Sequence, residues 1–106
     1  MMESQNFIME KIQDQVGQWC EETFGPVQST ASVIARANKE MSELLMAPYQ
    51  NKTTQELIEE AADVVICLYR YAHLIEEDLD AAIIAKLAKN RGRQWNLDGF
   101  GHGQHK

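Results

Sequence analysis

Apolar residues return every three or four positions over most of this chain, the pattern of helices that each bury one face. A first helix is predicted over about residues 5–23, where Ile8, Ile12, Val16 and Trp19 form one stripe and Gly25-Pro26 ends it. A second, over about 29–46, carries Val33, Ala37, Met41, Leu44 and Leu45 to one side. Ser29 or Thr30 caps its start, and Pro48 marks its end because proline lacks the helical N–H. A third, over about 54–76, opens with Thr53 and Glu56 at capping-box spacing, and Asp78 caps a fourth over about 79–90. The tail, 91–106, holds Gly92, Gly99, Gly101 and Gly103 and shows no period, and no stretch alternates as a strand does. The predicted fold class is all-α. Short connections make consecutive helices neighbours, so the expectation is one domain over 1–106: a four-helix antiparallel bundle with a glycine-rich C-terminal tail.

The third helix complicates that picture. Ala61-Ala62-Asp63-Val64-Val65-Ile66-Cys67-Leu68-Tyr69 is apolar on nearly every side, and such a helix is normally enclosed all round. Three short neighbours do not enclose it, so a partner subunit is expected to cover the rest. Length agrees, since a chain of 106 residues buries only about two-thirds of its unfolded surface and gains from association.

Composition and charge narrow the partners. With 44% apolar and 25% charged residues the chain is a folded globular one, and its net charge of −6 argues against binding a nucleic acid polymer or an anionic membrane. The apolar run at Ala61–Tyr69 is far too short to span a bilayer. The amino end, Met1-Met2-Glu3-Ser4-Gln5-Asn6, lacks the basic start and cleavage site of a signal peptide, so a cytoplasmic location is expected. Cys20 and Cys67 stand far apart without CxxC spacing and read as reduced packing residues.

Certain carboxylates do not fit packing. Leu57, Ala61, Val64, Leu68, Ala72 and Ile75 make the main stripe of the third helix, with Glu60, Asp63 and Cys67 as a second ridge. Asp63 lies in an apolar stretch, where a bare carboxylate must be paired, protonated or bound to a metal. Glu40 and Glu43 are spaced one turn apart on the second helix, bordering its apolar stripe. Facing ridges would gather four acids with no evident neutralising base, an oxygen-only set suited to Mg²⁺ or Mn²⁺. Acids at this spacing also form ordinary solvated faces, and Glu59, Glu76 and Glu77 are read that way.

The fourth helix adds the densest basic segment. Lys86 and Asn90 lie along the side of Leu79 and Ile83, pointing toward the bundle, and Lys89, Arg91 and Arg93 follow. Cations ending a helix also complement its dipole. Beside a metal cluster, however, they suggest a polyphosphate held by metal on one side and by Lys and Arg on the other.

These residues reach a known family. Glu40-Met41-Ser42-Glu43 followed by Glu60-Ala61-Ala62-Asp63 resembles the ExxE and ExxD pair of the MazG-like all-α nucleoside triphosphate pyrophosphohydrolases. The stretch from Lys86 through Asn90-Arg91 to Arg93 is similar to the Lys and Asn-Arg pattern of that family's last helix, and Trp95 to His105 to the tails of small single-domain members. The resemblance covers about residues 28–105. It implies cleavage of a nucleoside triphosphate between its α- and β-phosphates, with Glu40, Glu43, Glu60 and Asp63 binding Mg²⁺, for which Mn²⁺ would substitute. Glu43 is the candidate general base; Lys86 and Arg93 would offset charge on the bridging and leaving oxygens. Asn90 and Arg91 would contact sugar or phosphate. Trp19 and Asn38 are the candidates for holding the base, although Trp19 also falls on the first stripe and so suits a core. The resemblance further implies a homodimer or homotetramer and a role in nucleotide-pool housekeeping.

Rival readings fail on residue count or stay separable. A di-iron bundle needs Glu-x-x-His on two helices, but Arg70 stands three before His73; an HD-type phosphohydrolase needs a His-Asp pair, which is missing. His102 and His105 lack further zinc ligands. The remaining alternative is a non-enzymatic acidic helical interaction module, whose docking would need no Mg²⁺.

Overall fold

The computed structural model describes residues 10–106, in which the periodic pattern becomes helices α1 (Ile12–Phe24), α2 (Thr30–Met46), α3 (Thr54–Leu74) and α4 (Leu79–Arg91). The expected start of the first helix, its Ile8 and the amino-terminal segment lie outside the described residues. Local signals act as their chemistry dictates. The Thr53 hydroxyl accepts from the Glu56 N–H at 3.2 Å while Glu56 accepts from the Thr53 N–H at 3.0 Å, closing the capping box. Asp78 Oδ1 accepts from the Ala81 N–H at 3.0 Å and caps α4. Ser29 holds the cap position of α2 in extended backbone, without a side-chain bond. Pro48 lies in a short 3₁₀ turn, Ala47–Tyr49, that follows α2. The third helix ends two residues earlier than expected, where Glu76 turns into the left-handed region at φ 59°.

Helix α3 is the spine, with α2 and α1 packed along it. The core between them is small: Cys20, Val33, Ala37, Ala47, Val64 and Ala72. Helix α1 meets α3 through a face the apolar stripe did not mark. Its buried residues are Gln13, Gly17 and Cys20, whereas Ile12 and Trp19 are exposed. Gly17 explains the rotation, because a Cβ there would stand 2.4 Å from the His73 ring, so only glycine permits this approach. Gln13 fixes it, donating to the Glu77 carbonyl at 2.6 Å and accepting from the Leu79 N–H at 2.9 Å, an otherwise unsatisfied donor at the start of α4.

The four-helix bundle is not closed within one chain. Among the described residues α4 touches chiefly α3 and buries none of its own residues, so Ile83, Ile84 and Leu87 are exposed. The radius of gyration is 17.0 Å, against about 13 Å for a compact domain of this length. Ile58, Val65, Ile66 and Leu68 of α3 are likewise uncovered, as expected of an apolar helix with too few neighbours.

The tail is a β-hairpin rather than patternless chain. Strands β1 (Trp95–Leu97) and β2 (Gly103–His105) pair antiparallel with Trp95 opposite His105. Asp98 Oδ1 accepts from the N–H groups of Phe100 at 2.7 Å and His102 at 3.1 Å, and Gly99 and Gly101 supply positive φ. Among the described residues no helix is long and apolar enough to cross a membrane.

Candidate metal centre and adjoining pocket

Where α2 crosses α3, three acids converge. Glu40 follows Val33 and Ala37 at helical steps on the buried face of α2 and is 8% exposed. Glu60 and Asp63 come from the first half of α3, and one carboxylate oxygen from each of the three lies within 4.8 Å of the others. Two bases stand among them, contrary to the expectation of none. Arg36 Nε donates to Glu40 Oε1 at 3.1 Å, and Lys52 Nζ stands 3.5 Å from Glu60 Oε1.

Burial is distributed otherwise than the sequence suggested. Asp63 is exposed, as are the apolar Val65 and Ile66 near it; Glu40 is the buried acid. The environment still acts on Asp63. Partial burial, then the charges of Glu40, Glu60 and Glu59, raise its pKa above the ordinary carboxylate value, with Arg36 opposing. Glu43 is exposed and not one of the converging three, yet a hydrogen bond with Glu40, and then the Glu40 and Glu60 charges, also raise its pKa. Negative charge therefore outweighs positive here. An all-oxygen donor set with residual repulsion fits a hard divalent cation.

The carboxylates open onto a pocket of about 220 Å³ between α1, α2 and α3. Glu40 and Asp63 line one part; Ile66 and Cys67 continue along α3; Trp19 and Phe24 of α1 supply an aromatic wall, edge-on at 5.3 Å between ring centres. Burial raises the pKa of the Cys67 thiol, and that of the fully packed Cys20 thiol beside it; both are free thiols.

No protein-family model matches the chain, and no curated protein matches it. A solved structure does: the MazG-like pyrophosphohydrolase of cyanophage S-2L, bound to dGDP and three catalytic Mn²⁺ ions per active site, is 31% identical to this chain. The likeness covers 89% of this chain and 88% of that one, with a TM-score of 0.72. The chain belongs to the MazG-like pyrophosphohydrolases. It is accordingly a hydrolase of phosphorus-containing anhydrides.

Within this MazG-like chain the expected site residues divide into two groups. Glu40, Glu60 and Asp63 come together, Glu43 lies beside them, and Trp19 lines the pocket at 52% exposure instead of filling the core. Asn38 is exposed on α2 and does not line the pocket. Lys86, Asn90, Arg91 and Arg93 do not line it either. Lys86 is exposed, on a helix none of whose residues is buried, and Asn90 is engaged at the hairpin: its Oδ1 accepts from Arg93 and its carbonyl from Trp95 Nε1. Sequence reasoning missed Arg36, Phe24 and Arg70. The four-residue step from Arg36 to Glu40 could have revealed the first, but the others meet only through the packing of α1 on α3.

A larger cleft, about 590 Å³, lies between α1 and the far end of α3. Several of its polar groups are paired across elements: Lys11 with Asp78 at 2.6 Å, His73 with Glu21 at 3.0 Å, and the Gln13 side chain with the Glu77 carbonyl. The carboxylates of Asp14, Glu76 and Glu77 line it as well, but among the described residues its acids do not converge as Glu40, Glu60 and Asp63 do.

Proposed function

We propose that the chain hydrolyses nucleoside triphosphates between the α- and β-phosphates, releasing a nucleoside monophosphate and pyrophosphate, with Mg²⁺ or Mn²⁺ required. The convergence of Glu40, Glu60 and Asp63 beside an aromatic pocket carries this reading. A divalent cation held by these three, with Glu43 adjacent as a further ligand, supplies neutralisation of phosphate oxygens and acidification of water.

The chain's own residues supply the rest. Glu43, whose pKa its neighbours raise above the ordinary carboxylate value, takes the proton of the attacking water. Water oxygen bonds to the α-phosphorus, the bond to the bridging oxygen breaks, and pyrophosphate leaves with the electron pair. Arg36, already on Glu40, holds that carboxylate in place. Trp19 provides a face for the base. Lys86, Asn90, Arg91 and Arg93 steady the leaving phosphates from α4 of a second copy, in a homodimer or homotetramer that covers the exposed apolar faces of α3 and α4. The cellular role is control of the nucleotide pool, in the cytoplasm.

Pyrophosphate release from ribo- and deoxyribonucleoside triphosphates, with Mg²⁺ or with EDTA, tests the reading on wild type and Glu60→Ala. Monophosphate and pyrophosphate in equal amounts, abolished by EDTA and by the substitution, are expected. No turnover on any nucleotide would overturn it and leave an acidic helical interaction module instead.

A further inference from the structure

The pocket beside the carboxylates has a second charged end. Asp63, Ile66, Cys67 and Arg70 lie along α3 at offsets of three, four and seven from Asp63, so they share one ridge, and the seven steps from Asp63 to Arg70 span roughly 10 Å of helix. That span is comparable to the distance from the α-phosphate of a nucleotide to the far edge of its base.

Arg70 is held for a task the fold does not use. Its Nη2 donates to the Gly25 carbonyl at 3.2 Å, and the guanidinium lies 5.5 Å from the centre of the Phe24 ring. Its Nε–H is buried without a hydrogen-bond partner among the described residues, and no carboxylate there pairs with it. A buried donor in that condition is unfavourable, and an acceptor brought by a ligand would satisfy it. Phe24 covers the place. It is the last residue of α1, is 61% exposed and is not part of the buried core.

We infer that Arg70 determines base specificity: with Phe24 turned outward, the base enters between Trp19 and Arg70, and Arg70 Nε–H donates to a ring carbonyl oxygen. Arginine only donates, so a base bound with its 6-oxo or 4-oxo oxygen on Nε–H is guanine, hypoxanthine, uracil or thymine, whereas adenine and cytosine carry an amino group at that place and would set it against the guanidinium. This inference rests on the nucleotide-hydrolysing reading above.

The experiment compares dGTP, dITP, dTTP, dUTP, dCTP and dATP by kcat/KM, and the α,β-imido analogues of dGTP, dTTP and dATP by equilibrium binding. Wild type, Arg70→Met and Arg70→Lys are used, each checked for helix content by circular dichroism. At least one 6-oxo or 4-oxo base is expected to exceed adenine and cytosine by about tenfold or more in wild type, and that ratio to fall about tenfold or more in both variants, because lysine keeps the charge but places no donor at Nε. Should Arg70→Met not fold, Arg70→Lys alone makes the comparison. Adenine or cytosine ranking with the best substrates, an unchanged ratio in the variants, or a lysine variant that discriminates as wild type does would each overturn the inference. Analogue binding with the expected preference but no turnover would instead overturn the hydrolytic reading and leave the role of Arg70 intact. Turnover without base preference would do the reverse, and absence of both binding and turnover would overturn both.

Discussion

Two polar regions flank α3, and they differ in how their acids are arranged. At the α1–α3 cleft Lys11 meets Asp78, His73 meets Glu21, and Gln13 satisfies both the Glu77 carbonyl and the Leu79 N–H. At the α2–α3 crossing Glu40, Glu60 and Asp63 converge with Glu43 beside them, answered only by Arg36 and a longer contact from Lys52. Matched groups hold elements in place. Both regions carry more acid than base, but only at the crossing do three carboxylates of the described residues come within 4.8 Å of one another, and that repulsion is why the smaller opening and not the larger one reads as the site.

That contrast is breakable from either side. Asp63→Asn should lower turnover by at least about a thousandfold while leaving the metal-free melting temperature unchanged or higher, since one repelling charge is gone. A lower melting temperature with turnover retained would make Asp63 a structural residue. Gly17→Ala should do the opposite: the new Cβ meets the His73 ring, costing about 1–3 kcal/mol by denaturation while Mg²⁺ binding persists in the folded fraction. Gln13→Ala, which leaves the Leu79 N–H and Glu77 carbonyl unanswered, should cost about 1–3 kcal/mol in the same assay.

The smallest effect is one of pH, and the regions have opposite signs. Asp63 and Glu43 bind protons more tightly folded than unfolded, so metal-free stability falls as pH rises through their raised pKa values and is fully regained below the ordinary 3.8 and 4.5. Asp78 is held below its ordinary value, first by the Lys11 hydrogen bond and then by the Ala81 N–H, so its contribution is present above 3.8 and lost as pH falls through the lowered value. Melting temperature against pH should therefore flatten just above 3.8 in Asp63→Asn and just below 3.8 in Asp78→Asn.

Much of this was legible in the residues because it is local. The Thr53–Glu56 box, the Asp78 cap and the extents of α2 and α4 depend on neighbours within one turn, and each stands where its spacing put it. The facing acids were legible too, since steps of three fix one side of a helix. The face of α1 was not, because hydrophobicity marks Ile12 and Trp19 while close approach is governed by Gly17, which carries no apolar signal. Glu40 could have been placed on the buried face from its spacing with Val33 and Ala37. Asp98-Gly99 is a turn signal that the glycine count concealed, and it starts the hairpin. Helix α4 escaped for another reason: it buries none of its residues and touches α3 only lightly among the described residues, so the pattern of apolar positions does not place it.

The account stands most directly on cation binding at the crossing. Titration of Mn²⁺ into the metal-free chain, followed by the loss of its free-ion paramagnetic resonance signal, measures this without nucleotide. Wild type should take up Mn²⁺, Mg²⁺ should compete for it, and Glu40→Gln should lose it while keeping its helix content. Equal uptake by the two proteins, or none by wild type, would contradict the claim that the unmatched carboxylates form a metal centre.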